Sequence, residues 1–335
     1  MDTYSRAADL PPEWDALCGD NYAARREFLS VMERGNACQQ RYHVFRSARG
    51  AVDSILISFT SPRQNILCLT PFTWRVRATF VHVPVSVARP GLILGADTRS
   101  DVESFLRSMP GFVVVMDTDP DLDLPSFAHG HACFGIVLPL RWRSFEEYVA
   151  GLRSHYRYRV RRALRKGAPL TFAILEENRA FDERLFRLYE NVHDRSRIGV
   201  ERLTIEAFRM RSARVLVAHL GERPVGFVQM IENGAELVFA FVGLDYDCNA
   251  TYDIYHNLLL RMVAYGIDGG FERLELGQTA EDAKLRLGGR YRPLRMHMRH
   301  SNPLLNAAVR VSLPLIQYRP TRTRHTVFND HGAGR

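Results

Sequence analysis

The segment from Ser144 to Gly167, SFEEYVAGLRSHYRYRVRRALRKG, says most about the fold of this 335-residue chain. Ser144 and Glu147 have the spacing of a capping box, in which each side chain accepts a hydrogen bond from a free backbone amide at a helix start. Apolar residues then recur at the helical period, at positions 145, 148, 149, 152, 156, 160 and 163. Gly167 is typical of the residue that follows a helix. The pattern predicts one amphipathic helix from 144 to 166.

The outward face of this helix is strongly basic. We call its cationic side chains the basic ridge: Arg153, Arg157, Arg159, Arg161, Arg162, Arg165 and Lys166. No Asp or Glu lies between Tyr148 and Leu175, although like charges four residues apart cost about 0.2–0.5 kcal/mol per pair. Because a solvated helix usually alternates its charges, the sequence favours a polyanionic partner for the ridge. A merely solvated surface is the alternative.

Positive charge is confined to the second half of the chain. Residues 1–135 contain 13 Arg and Lys against 15 Asp and Glu, whereas residues 136–335 contain 32 against 22. This asymmetry agrees with an anionic partner for the second half. Only two of the 45 basic residues are lysines, Lys166 and Lys284. These two positions indicate sites that need a compact ammonium group rather than a planar guanidinium, with chance retention as the alternative.

Composition disfavours several classes of protein. No run of 18 apolar residues occurs, so we expect no membrane-spanning segment, and the first fifteen residues lack the apolar core of a secretion signal. The five cysteines are odd in number and scattered, which predicts neither a disulfide framework nor a CxxC metal site. We expect a cytoplasmic protein with no metal ion and no membrane partner. The oligomeric state is not predicted.

The strand and helix patterns predict an α/β fold with a mixed sheet. Residues 1–135 contain strand-like runs such as VDSILISF, and a Pro/Asp-rich connector precedes their end. Residues 136–318 predict a strand, a helix, a strand and a helix, then a three-stranded antiparallel meander, and finally helices alternating with strands. The polar tail, residues 319–335, is expected to be disordered. The predicted domain boundaries are therefore near residues 135 and 318.

Three segments carry a family resemblance, namely 144–167, FVGLDYDCNATYDIYHNLLLRMVAYGIDGGFERLELGQT at 241–279, and KLRLGG at 284–289. In this order they resemble GNAT acyltransferases, close to the Fem-type, aminoacyl-tRNA-dependent peptidyltransferases and the BioF-like acetyltransferase branch. The similarity covers roughly residues 136–305. It implies a catalytic GNAT domain at 136–318. Since Fem-type proteins contain two GNAT-like halves in tandem, it also implies a degenerate GNAT-like domain at 1–135.

The resemblance raises the question of the acyl donor. GNAT acetyltransferases hold the coenzyme A pyrophosphate on a glycine-rich loop at a helix N-terminus, after their fourth strand. Here no glycine lies between Gly243 and Gly266, and three acids that would repel a pyrophosphate crowd the segment: Asp245, Asp247 and Asp253. The sequence therefore favours aminoacyl-tRNA as donor and no tightly bound cofactor, with acyl-CoA as the alternative. The residues expected to bind the donor tRNA are Arg157, Arg159, Arg161, Arg162, Arg165 and Lys166.

Five residues are candidates for catalysis. Asp245 and His193 could remove a proton from the attacking amine, although a turn aspartate and a surface histidine are equal alternatives. Lys284 matches the lysine of the family's late Lys-x-x-x-Gly segment, which implies contact with the donor end or with the developing charge. Gln278 could bind substrate or cap the next helix. Tyr255 could protonate the leaving group, although its place on an apolar helix face favours a core role.

Together these observations predict an N-acyltransferase that forms an amide between an aminoacyl group and an amine. The sequence does not identify the acceptor, and the chain lacks the long helical arm of Fem-type proteins that build cell-wall bridges. This absence favours a small-molecule amine, as in natural-product biosynthesis, over a peptide acceptor. An acyl-CoA-dependent N-acyltransferase is the second hypothesis. A non-catalytic RNA-binding protein that kept the fold is the third.

Overall fold

The computed structural model describes residues 1–66, 72–85, 87–196, 202–320 and 325–329. The described residues divide into two compact units. The first comprises described parts of Met1–Phe134, Arg197–Ala207 and Pro293–Pro320, and the second described parts of Gly135–Ser196, Phe208–Arg292 and Thr321–Arg335.

Strands and helices alternate along both units. The strands are β1 (Asp2–Tyr4), β2 (Arg41–Arg46), β3 (Val52–Asn65), β4 (Arg75–Val81), β5 (Leu92–Ile93), β6 (Phe112–Thr118), β7 (Ala128–His131), β8 (Gly135–Pro139), β9 (Leu170–Ile174), β10 (Ala213–Leu220), β11 (Arg223–Asn233), β12 (Glu236–Leu244), β13 (Arg273–Glu275), β14 (Arg290–Arg292) and β15 (Arg295–His300). The helices are α1 (Trp14–Leu17), α2 (Arg26–Gly35), α3 (Arg99–Ser108), α4 (Phe145–Gly151), α5 (Ser154–Lys166), α6 (Glu183–Asp194), α7 (Tyr246–Tyr252), α8 (Ile254–Asp268), α9 (Glu281–Leu285) and α10 (Pro303–Ile316).

The first unit is built on one mixed sheet in the order β1-β2-β3-β4-β6-β15-β7, with β5 paired to β3. Strands β2, β3 and β4 form an antiparallel meander, and α3 then leads to β6, which lies parallel to β4. One apolar cluster of this unit includes Val102 and Leu106 of α3. Another includes Val309 and Leu313 of α10. Both helices are therefore anchored by buried apolar side chains.

The second unit repeats this arrangement in a sheet with the order β14-β8-β13-β12-β11-β10-β9. Strands β10, β11 and β12 form an antiparallel meander, α7 and α8 follow, and β13 then lies parallel to β12. Both halves thus share a helix, a three-stranded meander, a helical connection and one parallel strand pair. This is the tandem, mixed-sheet α/β organisation that the sequence predicts.

Late residues of the chain do not follow the predicted domain boundary. The strand expected near the end of the second domain forms as β15, but it pairs with β6 and β7 of the first sheet. Residues 293–320 therefore belong to the first unit, and the second ends, before its tail, at Arg292. The sequence-based prediction assigns this strand to the second domain, with the residues next to it in the chain. No local pattern in a sequence indicates which sheet a strand joins.

The expectation of one continuous helix over 144–166 is wrong in one respect. The capping box forms, since Ser144 Oγ accepts from the Glu147 amide, but the chain leaves the helix at Leu152 and Arg153, which divides it into α4 and α5. Both residues are extended, and the Arg153 amide donates to the carbonyl of Val327. A contact with the tail thus replaces the helical hydrogen bonds at the break.

Part of the predicted disordered tail is ordered. Residues 325–329 are described, and within them Val327 is buried and Phe328 stacks beside Trp142 at 4.8 Å between ring centroids. Leu152 forms a β-bridge with Phe328. Burial of these apolar side chains compensates for the polar composition around them. Residues 321–324 and 330–335 of the predicted tail lie outside the described residues.

Close packing at the end of α5 fixes its relation to α8. The Asn257 side chain is buried, and its Nδ2 donates to the Ala163 carbonyl at 2.9 Å. A Cβ atom at Gly167 would lie 2.4 Å from this nitrogen, which explains a glycine there. The absence of a side chain at 167 therefore lets α8 approach the last turn of the basic helix.

Within the described residues, no helix has the length and apolar character to cross a bilayer.

Candidate active site

The pairing of the parallel strands in the second unit ends after three residue pairs. Strand β12 pairs with β13 from Glu236 to Val238, and β13 itself ends at Glu275. At the same level β12 contains a bulge, because Phe239 and Phe241 face neighbouring residues of β11 and Ala240 is left over. Bulges redirect side chains and leave backbone groups unpaired, and they are frequent beside active sites. The end of the parallel pairing is therefore a candidate position for an active site.

Two of the predicted catalytic residues meet where this pairing ends. Lys284 Nζ donates a 2.6 Å hydrogen bond to the Gln278 carbonyl and lies 5.2 Å from the ring centroid of Phe239. Lys284 is only 2% exposed. We call Phe239, Glu275, Gln278 and Lys284 the splay cluster. It brings an ammonium group and a bent loop to the end of the β12–β13 pairing.

The charge of Lys284 is finely balanced. Burial lowers the pKa of its ammonium group from 10.5 to about 7, and the nearby carboxylates of Glu275 and Glu281 oppose this shift. Near neutral pH the group can therefore exist in either protonation state. A lysine poised in this way can supply positive charge or take up a proton within a site that excludes water.

The loop that faces Lys284 has an unusual backbone. Gly277, Thr279 and Ala280 have φ angles of 70°, 58° and 47°. Glycine adopts this region freely, but a β-branched residue such as Thr279 is an outlier there. Such conformations cost of order 1–3 kcal/mol each and persist where the surroundings demand them. Here they turn the chain so that the Gln278 carbonyl, rather than its side chain, meets Lys284.

Sequence reasoning missed the two carboxylates near Lys284, Glu275 and Glu281. Glu275 is buried at the end of β13, and its Oε2 lies 2.9 Å from Nη2 of Arg292. Glu281 accepts a hydrogen bond from the Tyr291 hydroxyl. The signal for Glu275 was present, since an acid within the apolar run LEL of a buried strand needs a partner. No feature of the local sequence pointed to Glu281.

Three other candidates lie at the far end of β12. Asn191 of α6 donates to the Leu244 carbonyl, which holds the end of α6 beside this strand end. The Arg195 guanidinium lies 3.8 Å from the ring centroid of Tyr246. Burial, followed by the charge of Tyr246, raises the pKa of Tyr255 well above its ordinary value. We call His193, Asp245, Tyr246 and Tyr255 the strand-end cluster.

The contacts of Asp245 are those of a helix cap. Its Oδ1 accepts from the amides of Asp247 and Cys248 at 3.0 and 3.2 Å. Its Oδ2 lies 3.2 Å from Nη1 of Arg223. His193 is likewise engaged, with Nδ1 3.2 Å from Oδ1 of Asp194. The side chains of Asp245 and His193 are therefore both engaged with neighbouring residues.

The two clusters are too far apart to act on one bond. Phe239 and Asp245 are six residues apart on one strand, and an extended strand advances about 3.4 Å per residue, or about 20 Å in all. The structure thus groups Lys284 with Gln278, and His193 with Asp245 and Tyr255. A reacting carbonyl at one cluster cannot also contact the other.

The basic ridge divides into engaged and unengaged side chains. Arg157 Nη1 donates to the Ala150 carbonyl, and Lys166 Nζ lies 3.1 Å from the Ala250 carbonyl and 3.4 Å from Oδ1 of Asp253. Four exposed arginines of α5 have no ion-pair partner among the described residues: Arg159, Arg161, Arg162 and Arg165. Unpaired guanidinium groups on one helix are available to phosphates.

The helix starts that a coenzyme pyrophosphate would use are capped from within the chain. Asp245 takes the first free amides of α7, and Asn249 Oδ1 accepts from the Tyr255 amide in the first turn of α8. Both capping groups compete with a phosphate for the same donors. Among the described residues no three His, Cys, Asp or Glu side chains are grouped as a metal site.

Comparisons with known proteins agree with this geometry. Residues 150–285 match the family model of the acetyltransferase (GNAT) domain. The fold is similar to that of L-PGS from Bacillus licheniformis, with a TM-score of 0.56 and 12% identity over 92% of this chain and 98% of that chain. It is also similar to FemX, with a TM-score of 0.56 and 10% identity over 89% of this chain and 97% of that one. No protein of curated function matches the sequence significantly.

These findings confirm the α/β fold and the family resemblance. The matched segment contains the basic ridge, the β10–β12 meander and Lys284. A segment of the second unit, residues 150–285, therefore matches an acetyltransferase (GNAT) domain, and the chain has a fold similar to that of FemX and L-PGS.

Proposed function

We propose that this protein transfers an aminoacyl group from aminoacyl-tRNA to an amine and so forms an amide. The observation that carries the proposal is the unpaired arginine set of α5, Arg159, Arg161, Arg162 and Arg165, beside helix starts that are already capped. A tRNA offers phosphates at the spacing of a helix face, whereas coenzyme A needs amides that Asp245 occupies. Both observations favour the larger donor.

The splay cluster supports the chemical step. A neutral amine attacks the ester carbonyl of the donor, the carbonyl oxygen takes negative charge, and the tRNA hydroxyl leaves with a proton. The Lys284 ammonium group, held by the Gln278 carbonyl, would stabilise the developing oxyanion. We assign the acceptor to the class of small amines and the reaction to the cytoplasm.

An acyl-CoA-dependent N-acyltransferase is the second candidate. The matched family model is named for acetyl transfer, which favours this alternative. A comparison of donors separates the two. Purified protein is incubated with charged tRNA or with acyl-CoA, together with candidate amines, and ribonuclease is added to a parallel sample. Ribonuclease-sensitive product supports the tRNA donor, and product that needs only acyl-CoA overturns it. Binding of tRNA without product from either donor would instead support the hypothesis of a non-catalytic RNA-binding protein.

Charge reversal on α5 tests the donor site directly. We expect Arg161→Glu with Arg162→Glu to weaken tRNA binding about a hundredfold and to reduce its salt dependence, because phosphate contacts release counterions. The matched control is Arg6→Glu with Arg49→Glu, which makes the same charge change at exposed positions of the first unit. Filter binding over a series of salt concentrations measures both. If both double variants weakened tRNA binding equally, the effect would depend only on net charge, which would contradict a binding site on α5.

A further inference from the structure

Exposed apolar side chains concentrate on two segments of the first unit. Among the described residues nine large apolar side chains are exposed, and six of them lie on α10 or just before β4. We call these six the α10 patch: Phe72, Trp74, Leu304, Leu305, Val311 and Leu315. Single exposed apolar residues are ordinary, but a group of six marks an interaction surface.

Helix α10 is apolar on two faces, of which one is covered. Val309 and Leu313 are buried against the sheet of the first unit. Leu304, Val311 and Leu315 are 82%, 76% and 70% exposed. At about 100° per residue these three share one narrow stripe, separate from the buried one. An exposed stripe of this kind on a helix with no acidic residue is unfavourable in water, so it points to a second apolar environment.

Trp74 adjoins the start of α10. Its ring contacts Phe112, at 6.5 Å between centroids, and Phe112 contacts His300 at 4.5 Å. His300 Nδ1 in turn accepts from the amide of Asn302, the residue that caps α10. Trp74 is nevertheless 54% exposed. The indole therefore lies at the same end of the unit as the first turn of α10, with an apolar body and a polar N–H.

The chain around the patch is basic and free of acids. No Asp or Glu occurs from residue 54 to 96, or from 283 to 329. These stretches contribute exposed arginines close in sequence to the patch, namely Arg75 beside Trp74, Arg310 on α10 and Arg319 after it. Arg310 also donates to the Pro125 carbonyl, at the end of the Asp-rich connector. Apolar side chains whose neighbours along the chain are cationic complement a surface that is apolar below and negative above.

We propose that the α10 patch docks the protein on the surface of an anionic lipid bilayer. Leu304, Val311 and Leu315 would enter the boundary between headgroups and acyl chains, Trp74 would lie at headgroup level, and the arginines would contact lipid phosphates. A second copy of the chain fits less well, because two such surfaces would bring cations together. RNA fits less well, because aliphatic side chains do not stack on bases. The proposal replaces the expectation of no membrane partner and is independent of the proposed activity.

Vesicle sedimentation tests the proposal on the full chain. Vesicles contain either phosphatidylcholine alone or equal parts of phosphatidylcholine and phosphatidylserine. We expect the protein to sediment with the anionic vesicles and not with the neutral ones. The triple variant Leu304→Gln, Val311→Gln, Leu315→Gln should bind at least about tenfold more weakly, since it removes only exposed apolar surface. Ile174→Gln, at an exposed position of the second unit, should bind as the unaltered protein does.

Three outcomes would overturn the proposal. The first is no difference between the two kinds of vesicle. The second is unchanged binding by the triple variant whose folding is verified by circular dichroism. The third is self-association, measured by light scattering without lipid, that the triple variant abolishes, which would assign the patch to a second copy. A blue shift of tryptophan emission on vesicle binding that Trp74→Phe removes would support it.

Discussion

At the scale of single residues, Lys284 illustrates how far sequence reasoning reaches. Its position was conspicuous, because an arginine-rich chain keeps only two lysines and this one falls in the family's late motif. Its environment was not predictable. Burial, the carbonyl of Gln278 and the ring of Phe239 come from three elements that only the folded sheet brings together. By contrast, the cap formed by Asp245 follows from one short sequence.

The role of Lys284 makes a kinetic prediction. If its ammonium group stabilises the oxyanion, the rate of transfer falls as pH rises through about 7, the pKa of the group. Lys284→Met, which keeps the length and loses the charge, should lower kcat about a hundred- to a thousandfold, as loss of an oxyanion donor does. Single-turnover rates over a pH series measure both. A rate that rises through the same pH would instead make the neutral amine a general base.

The same group predicts how stability depends on pH. The folded state holds Lys284 with a pKa near 7, whereas the unfolded chain has about 10.5, so between these values the unfolded state binds more protons. The free energy of unfolding should therefore rise with pH across this window. In Lys284→Met this rise should disappear, and in Lys166→Met it should persist. Urea unfolding at several pH values measures this dependence. An identical slope of unfolding free energy against pH in the unaltered protein and both variants would contradict the burial of an ionisable amine.

At the scale of elements, most helices and strands of the second unit follow from local patterns, but their interruptions do not. The capping box at Ser144 and the apolar stripe correctly predict helix between residues 144 and 166, but as one helix rather than as α4 and α5. The break at Leu152 and Arg153 depends on Val327 and Phe328, about 175 residues further along. A periodic pattern cannot report a partner at that separation, because it records only which face is apolar.

The junction of α5 and α8 yields a coupling prediction. Asn257→Ala removes one of two donors to the Ala163 carbonyl, which keeps the Gly167 amide, and should cost about 0.5–1.5 kcal/mol of unfolding free energy. Gly167→Ala should also destabilise, because its Cβ would lie 2.4 Å from Asn257 Nδ2. In the double variant the steric conflict is absent, so the two costs should not add. Additive costs in chemical denaturation would show that the two residues do not compete for space.

At the scale of the whole molecule, the strand and helix patterns predict the α/β class, and the family resemblance implies the two related halves. They do not predict that β15 joins the first sheet, although this strand follows the second unit along the chain. Each half has an antiparallel partner for its inner parallel strand, β8 for β13 and β15 for β6. Unpaired sheet edges are costly, and this requirement outweighs chain proximity.

Two buried histidines should make the first unit sensitive to acid. Burial is the main cause that lowers the pKa of His43 and of His297 from 6.5 to about 4, so both are neutral in the folded state where the unfolded chain would be protonated. Stability should therefore decrease as pH falls from 6.5 towards 4. The double variant His43→Gln, His297→Gln should lose less stability over this range. Urea midpoints at the two ends of the range measure it, and equal losses would exclude these imidazoles as the cause.

The scarcity of lysine has a practical consequence for the chemistry of this chain. Apart from a terminal amine, amine-directed reagents have only two targets, and one of them, Lys284, is enclosed. Lys166 keeps 31% of its side chain accessible and becomes a natural single attachment point for a fluorophore on the basic helix. Because burial lowers the pKa of Lys284 to about 7, its amine is more readily deprotonated than an exposed lysine, but its enclosure should make its acylation by a small ester slow.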